Sequence, residues 1–299
     1  VEEAENPVDP VAGTSEIQPE SAGMAESAGM IESAEGAERL LAALDPPLEP
    51  EQVLEVVPEL GLARGVRQGD FHHLDAIGHI LQTIREVERE LDEGALGARV
   101  TPGRRGGLRL VGLLHDIAKP ITRGEIEGRV LFVAHDTLGA RHAHRICRRL
   151  GASAGDTDLA VTLTALHLKI GFMSNPRSDY PPERLARAAG PFAEELAVLS
   201  WADRLAARGA RLKPEHVERH RELCATFLQE SRRLGEKEPA AQSPPDYRAV
   251  ARRLGLAGEP EADAGYAASH LRLLQARGLT TDEAGAQVAA MFAGRARKA

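Results

Sequence analysis

The stretch LVGLLHDIAKP, Leu110 to Pro120, sets an imidazole and a carboxylate side by side at the end of an apolar run, with Lys119 and Pro120 following at once. Such a run belongs in a buried helix, where a polar side chain is costly unless it finds a partner. One reading of His115 and Asp116 is a helix end carrying a few polar residues. The other is a metal site, which requires further ligands elsewhere in the chain.

Candidates for those ligands interrupt other apolar helical runs. His79 lies in HLDAIGHILQTIREVERELDEG, a long amphipathic helix with Leu74, Ile77, Ile80, Leu81, Ile84 and Val87 on one stripe. His135 and Asp136 open the helix that ends at Gly151, His167 sits inside LTALHLKI, and Asp203 sits inside LSWADRLAA. In chain order the pattern is H…HD…H…H…D. A lone buried histidine is usually a satisfied core residue. The weight here comes from several well-separated segments, of which His167 and Asp203 break their runs most clearly. His72, His73, His142, His144, His216 and His220 read as solvated faces or helix ends.

The residue types have a chemical logic. Imidazole and carboxylate together suit divalent Mn, Ni, Co, Fe, Zn or Mg, as one or two ions. A set without thiolates can leave coordination positions open for water and substrate, where the ion neutralises phosphoryl charge and acidifies water. Neighbouring helical residues diverge by about 100°, so His115 and Asp116 can meet ligands from adjacent helices, and a carboxylate there can bridge two ions. Lys119, one turn beyond His115, is placed to hold a phosphate. Asp75, four residues before His79, is placed to accept its imidazole N–H.

Composition bounds the class. Hydrophobic residues make up 42% of the 299 and aromatics only 3%, which suits small-residue helix packing better than a β-sandwich. Only Cys147 and Cys224 are present, so neither a thiolate zinc knot nor a disulfide framework is indicated, and a cytoplasmic location fits. No run of about 18 apolar residues exists for a membrane helix, and the start lacks the basic and apolar regions of a signal peptide. A net charge of −8 argues against broad capture of nucleic acid, while a local basic groove is compatible with it.

The chain divides by pattern into three parts. Residues 1–35, acidic and rich in Ala, Ser and Gly with ESAGM twice, read as a disordered tail. Residues 36–235 form the main helical domain, starting with the short helix GAERLLAALDPP and including LRLVGLLHDIAKP as a buried helix. A further helix starts at an Asp cap in GDTDLAVTLTALHLKIGF and runs to about Gly171. Residues 236–299 give a linker, EKEPAAQSPP, and a small helical C-terminal extension. ITRGEIEGRVLF reads as a glycine-punctuated loop with room for a small hairpin. No strand run of any length is visible, so the class is all-α.

H…HD…D with LLHDIAKP resembles the HD superfamily of metal-dependent phosphohydrolases, and QGDFHHLDAIGHIL, FVAHDTLGARHAHRICRRLG and the DYRAVARRLG tail look like the C-terminal HD region of bacterial tRNA CCA-adding nucleotidyltransferases. The resemblance spans roughly residues 40–292 and implies a helical bundle with metal between its central helices. It implies that His79, His115, Asp116 and Asp203 are the defining metal ligands, and that His135 and His167 are the extra histidines of two-metal members. Two departures matter. The nucleotidyltransferase head is missing, and Asp156-Thr157-Asp158 reads as a helix cap rather than its metal-binding motif, so CCA addition by this chain alone is not expected. Where the related pattern often has Gly-His-Glu, this chain has Ala134-His135-Asp136.

The expected activity is therefore hydrolysis of a nucleotide, cyclic phosphodiester or phosphomonoester by a metal-activated water, with Asp116 and Lys119 catalytic. The alternative is a tRNA- or RNA-binding module, motivated by GARVTPGRRGG, by Arg141, Arg145, Arg148 and Arg149, and by the end GRARKA. A partner subunit for a separate nucleotidyltransferase is the third reading. Expected partners are a phosphorylated small molecule or nucleotide, with RNA or a homo-oligomer as further candidates and no membrane.

Overall fold

Helix α1 (Pro50–Val56) stops where Pro58 removes a backbone donor, and the chain tightens into a 3-10 turn over Pro58–Ala63. Helix α2 (Ala76–Glu93) starts at Asp75, whose Oδ1 accepts from the Gly78 N–H at 2.9 Å and whose Oδ2 accepts from the Gly65 N–H at 2.7 Å. Asp75 is thus a helix cap, and the expected bond to the His79 imidazole is not made. This computed structural model describes residues 49–296, with side chains through residue 293. The expected tail over residues 1–35 and the helix in GAERLLAALDPP lie outside the described residues. All described residues belong to one unit, Glu32–Ala299.

The deciding stretch is not one continuous helix. Helix α3 (Arg105–Leu114) ends at its buried leucines, His115 to Ala118 form a turn, and α4 (Lys119–Thr122) is a single further turn with Pro120 near its start. Two short antiparallel strands follow, β1 (Arg123–Ile126) and β2 (Arg129–Phe132), pairing Arg123 with Phe132 and Ile126 with Arg129. Glu127 and Gly128, at φ 50° and 73°, supply the two left-handed residues that a tight hairpin turn needs. The hairpin gives the otherwise helical fold a small sheet.

The remaining helices are α5 (His135–Arg149), α6 (Ala154–Leu166), α7 (Lys169–Phe172), α8 (Pro182–Ala189), α9 (Ala193–Ala207), α10 (Pro214–Lys237), α11 (Tyr247–Arg253), α12 (Glu261–Ala276) and α13 (Thr281–Ala296). Helix α6 is capped by Ser153, whose Oγ accepts from the Asp156 N–H at 3.1 Å, rather than by Asp156. It ends at Leu166, so His167 stands at its C-terminus and not mid-helix.

Helix α6 is the hub, packed against α3, α5 and α12. Small residues allow the close approaches: a Cβ at Gly139 would sit 3.0 Å from Thr164 Cγ2, and one at Gly265 would collide with the Ala154 carbonyl. This is the packing that a chain poor in aromatics adopts; Phe192 and Phe227 are the largest fully buried side chains among the described residues. Within the stretch expected as a linker, the Gln242 amide donates to the Ala186 carbonyl at 3.3 Å. No helix among the described residues is long and apolar enough to cross a membrane.

Polar pairs tie the C-terminal helices to α5 and α6. The fully buried Asp158 accepts from Arg272 Nη1 at 3.1 Å, Tyr247 OH at 3.1 Å and Thr162 Oγ1 at 3.0 Å. His144 Nε2 lies 2.7 Å from Asp263 Oδ1, and its ring stacks on Tyr266 at 4.1 Å. His144 and His220 are therefore buried structural residues, not solvated ones. His220 Nε2 donates to the Ser200 carbonyl at 3.0 Å. Burial first, and Arg204 second, push its pKa down to about 4.

Two outcomes are expected. Arg272→Leu leaves Asp158 buried without its counter-ion and should lower urea-derived stability by about 3 to 5 kcal/mol; a smaller loss in Arg272→Leu/Asp158→Leu would show that the stranded charge is the cause. Between its unfolded pKa near 6.5 and the folded value near 4, His220 takes a proton only in the unfolded chain, so acidification through that window destabilises the fold. His220→Gln should show a shallower loss of stability over the same window.

Candidate metal centre

Three histidines are aimed by one local device. His115 at the end of α3 donates Nδ1–H to the Gly112 carbonyl at 2.8 Å. His167 at the end of α6 donates to the Thr164 carbonyl at 2.8 Å. His135 at the start of α5 donates to the Phe132 carbonyl, the last residue of β2, at 2.7 Å. Each bond reaches back three residues and can only be a donation to oxygen. In the neutral ring it fixes the tautomer that leaves a lone pair on Nε2, turned inward, as carbonyls behind metal-bound histidines do.

Those lone pairs converge on Asp116. Its Oδ2 lies 3.2 Å from His115 Nε2 and 3.4 Å from His79 Nε2, and its Oδ1 lies 3.3 Å from His135 Nε2 and 3.6 Å from His167 Nε2. Asp203 Oδ1, from α9, lies 2.8 Å from His79 Nε2. The ligand atoms form two groups, each within 4.8 Å: His79, His115, Asp116 and Asp203, and Asp116, His135 and His167. Asp116 belongs to both, one oxygen to each. All six residues singled out in the sequence are brought together.

The electrostatics fit a cation. Burial raises the Asp116 carboxyl, but His115 and Lys119 outweigh it and hold it well below the usual carboxylate range. Burial likewise opposes ionisation of Asp203, and its bond to His79 overcomes that. Burial lowers His79, and burial with the neighbouring His135 brings His167 down to about 4, so both are neutral at neutral pH. His115 is lowered by burial but raised further by Asp116, ending above its ordinary value. The facing Nε2 atoms of His135 and His167, 3.3 Å apart, are two acceptors with no donor between them. His115 Nε2 and His79 Nδ1 are buried without a hydrogen-bond partner. Lone pairs facing one another beside ionised carboxylates call for a positive centre, and the donor set suits one or two borderline divalent ions.

Other residues fall into place around this core. Lys119 Nζ lies 2.6 Å from Asp116 Oδ2 and donates to Gln68 Oε1 at 2.6 Å, so it is held beside the shared carboxylate. Asp136, the departure from the related Glu, turns away: its Oδ2 pairs with Lys169 at 2.7 Å. Ala134 sits at φ 57°, a left-handed geometry that explains why glycine is usual before this histidine. Sequence reasoning missed His72, whose ring lies 4.7 Å from His79 and whose pKa burial, aided by Lys119, lowers to about 3. It also missed Gln68. Both lie in the loop before α2, where no periodicity marks them. Asp203, with 21% of its side chain exposed, opens the centre to solvent.

Residues 72–208 match the HD domain family, a span that contains every one of these convergent side chains. That span, somewhat less than half of the chain, is similar to an HD domain. HD domains bind divalent metals and belong to the metal-dependent phosphohydrolase superfamily. The chain is 31% identical over 191 residues to an A-adding tRNA nucleotidyltransferase of Deinococcus radiodurans, covering 63% of this chain and 40% of that one. It is 30% identical over 156 residues to a CC-adding tRNA nucleotidyltransferase of Thermus thermophilus, covering 51% of this chain and 32% of that one. It is 33% identical over 115 residues to a bifunctional uridylyltransferase/uridylyl-removing enzyme of Nitrobacter winogradskyi, covering 36% of this chain and 11% of that one. The match thus spans well under half of each relative's length.

A divalent ion held by this cluster should stabilise the fold by mass action. After chelation, adding Mn²⁺ at about a hundred times its Kd should contribute about 2.7 kcal/mol, raising the thermal midpoint by roughly 5 °C. Asp116→Ala should abolish that rise; an equal rise in the variant would place the ion elsewhere.

Proposed function

We propose that this chain is a metal-dependent phosphohydrolase acting on a nucleotide, a cyclic phosphodiester or a phosphomonoester. The observation that carries the reading is the sharing of Asp116 between two imidazole groups, one oxygen to each. His79, His115, Asp116 and Asp203 would hold one divalent ion, and Asp116, His135 and His167 a second. Such ions, when bound, supply Lewis acidity toward a phosphoryl oxygen and toward water.

The chain's own residues do the rest. Carbonyls at Gly112, Phe132 and Thr164 keep three imidazoles in the ligating tautomer. Lys119, held by Gln68, keeps a positive charge beside Asp116 and is positioned to meet negative charge that grows on phosphorus oxygens during displacement. Neutral His72, with a buried Nδ1 that lacks a partner, offers one hydrogen-bonding position next to His79. Low exposure of every residue but Asp203 limits competing solvent.

A nucleic-acid partner is a second reading, favoured by the tRNA-directed relatives. Its original motivation is weaker than the sequence suggested. Arg105 pairs with Glu88 at 2.9 Å, Arg148 with Asp263 at 3.2 Å and Arg149 with Glu59 at 2.9 Å, so these arginines face carboxylates of this chain.

The purified chain, loaded with Mn²⁺, Ni²⁺ or Co²⁺, should hydrolyse bis-p-nitrophenyl phosphate or a member of a panel of nucleotides and 2′,3′-cyclic nucleotides. Asp116→Ala should be inactive. Lys119→Met should keep its metal and lose about 10²- to 10³-fold in kcat. Turnover no greater than that of Asp116→Ala across the panel would refute the reading.

A further inference from the structure

The chain is acidic overall, yet a groove of about 540 Å³ between the loop before α2, the β1–β2 hairpin and Arg211 is lined by four arginines. Arg67, Arg123, Arg129 and Arg211 stand there against two carboxylates, Asp70 and Glu125. Of the four, Arg123 pairs with Glu125 at 3.5 Å; Arg67, Arg129 and Arg211 have no carboxylate partner among the described residues. Unpaired arginines gathered on three separate segments form a local positive surface that the net charge conceals.

Gln68 connects the groove to the metal centre: it lines the groove, and its amide oxygen accepts from Lys119 beside Asp116. The hairpin that forms its other wall ends at Phe132, which accepts from His135 and lies under Lys119, 5.4 Å from Nζ to ring centroid. Phe71, 42% exposed, lines the same groove with the Arg211 guanidinium 5.4 Å from its ring centroid.

We infer that this groove holds the sugar-phosphate backbone of a single-stranded nucleic acid and delivers one of its phosphates to the metal centre. Several guanidiniums spread along a groove match successive phosphates rather than one. An exposed aromatic ring beside them offers a stacking face to an unpaired base, which a duplex does not present. Delivery to the centre rests on the phosphohydrolase reading; binding of the strand does not.

The test follows the anisotropy of a short fluorescein-labelled single-stranded RNA with the full chain in chelator, so that binding is read apart from turnover. Arg67→Ala/Arg129→Ala/Arg211→Ala should weaken binding at least about tenfold and flatten the log–log salt dependence by roughly 2, at about 0.7 per lost contact. Arg67→Ala and Arg129→Ala singly should each weaken it several-fold, which keeps the test valid if the triple variant misfolds. Arg233→Ala, outside the groove and paired with Glu230, should bind as wild type. Phe71→Ala should weaken binding with no change in salt slope. Undiminished binding by the single and triple variants, or competition by a mononucleotide or duplex RNA equal to that by the strand, would overturn the inference. Absent turnover in a metal-loaded chain that still binds RNA through these arginines would refute the hydrolase reading alone.

Discussion

The Asp116 carboxylate is the constraint around which the rest is arranged. It is 1% exposed, and a carboxylate taken out of water costs several kcal/mol unless charge and hydrogen bonds replace the solvent. Four imidazoles and one ammonium surround it, drawn from α2, the turn after α3, α4, α5 and the end of α6. His115 and Lys119 do most to keep the group ionised against its burial. The hub packing of α6 and the glycine contacts that let α5 and α12 approach it serve the placement of these segments.

Helix ends, rather than helix middles, do much of the aiming. His115 and His167 sit where their helices run out of intrahelical partners, and His135 sits where one begins. At such positions a carbonyl three residues back is free to take the Nδ1 proton. The hairpin contributes through Phe132, which both receives the His135 proton and lies under Lys119. A small sheet in a helical fold is thus part of the same framework as the ligands, and it also walls the arginine groove.

The six convergent residues were legible because each breaks an apolar run, a signal that survives without knowledge of tertiary contacts. The helices were legible for the same reason. The hairpin was only hinted at, since its strands are four residues each, β1 is exposed throughout and only β2 alternates, between exposed and half-buried positions. Asp75 and Ser153 could have been read as caps from Asp before an apolar helix and Ser-x-x-Asp before another; treating Asp75 as a partner of His79 overrode that rule. His144 with Asp263 and Asp158 with Arg272 pair across 119 and 114 residues, and nothing local in the sequence marks such partners. The basic groove was hidden for a related reason: its arginines are scattered between positions 67 and 211, while Arg105, Arg148 and Arg149, from the basic stretches that attracted notice, face carboxylates.

The most direct test of the shared-carboxylate centre is an anomalous-difference map from crystals of the chain grown with Mn²⁺. The expected result is density within coordination distance of an Asp116 oxygen, flanked by His79, His115 and Asp203, with a second peak toward His135 and His167 if both groups fill. A fully occupied manganese peak elsewhere on the molecule, with none at Asp116, would contradict the account.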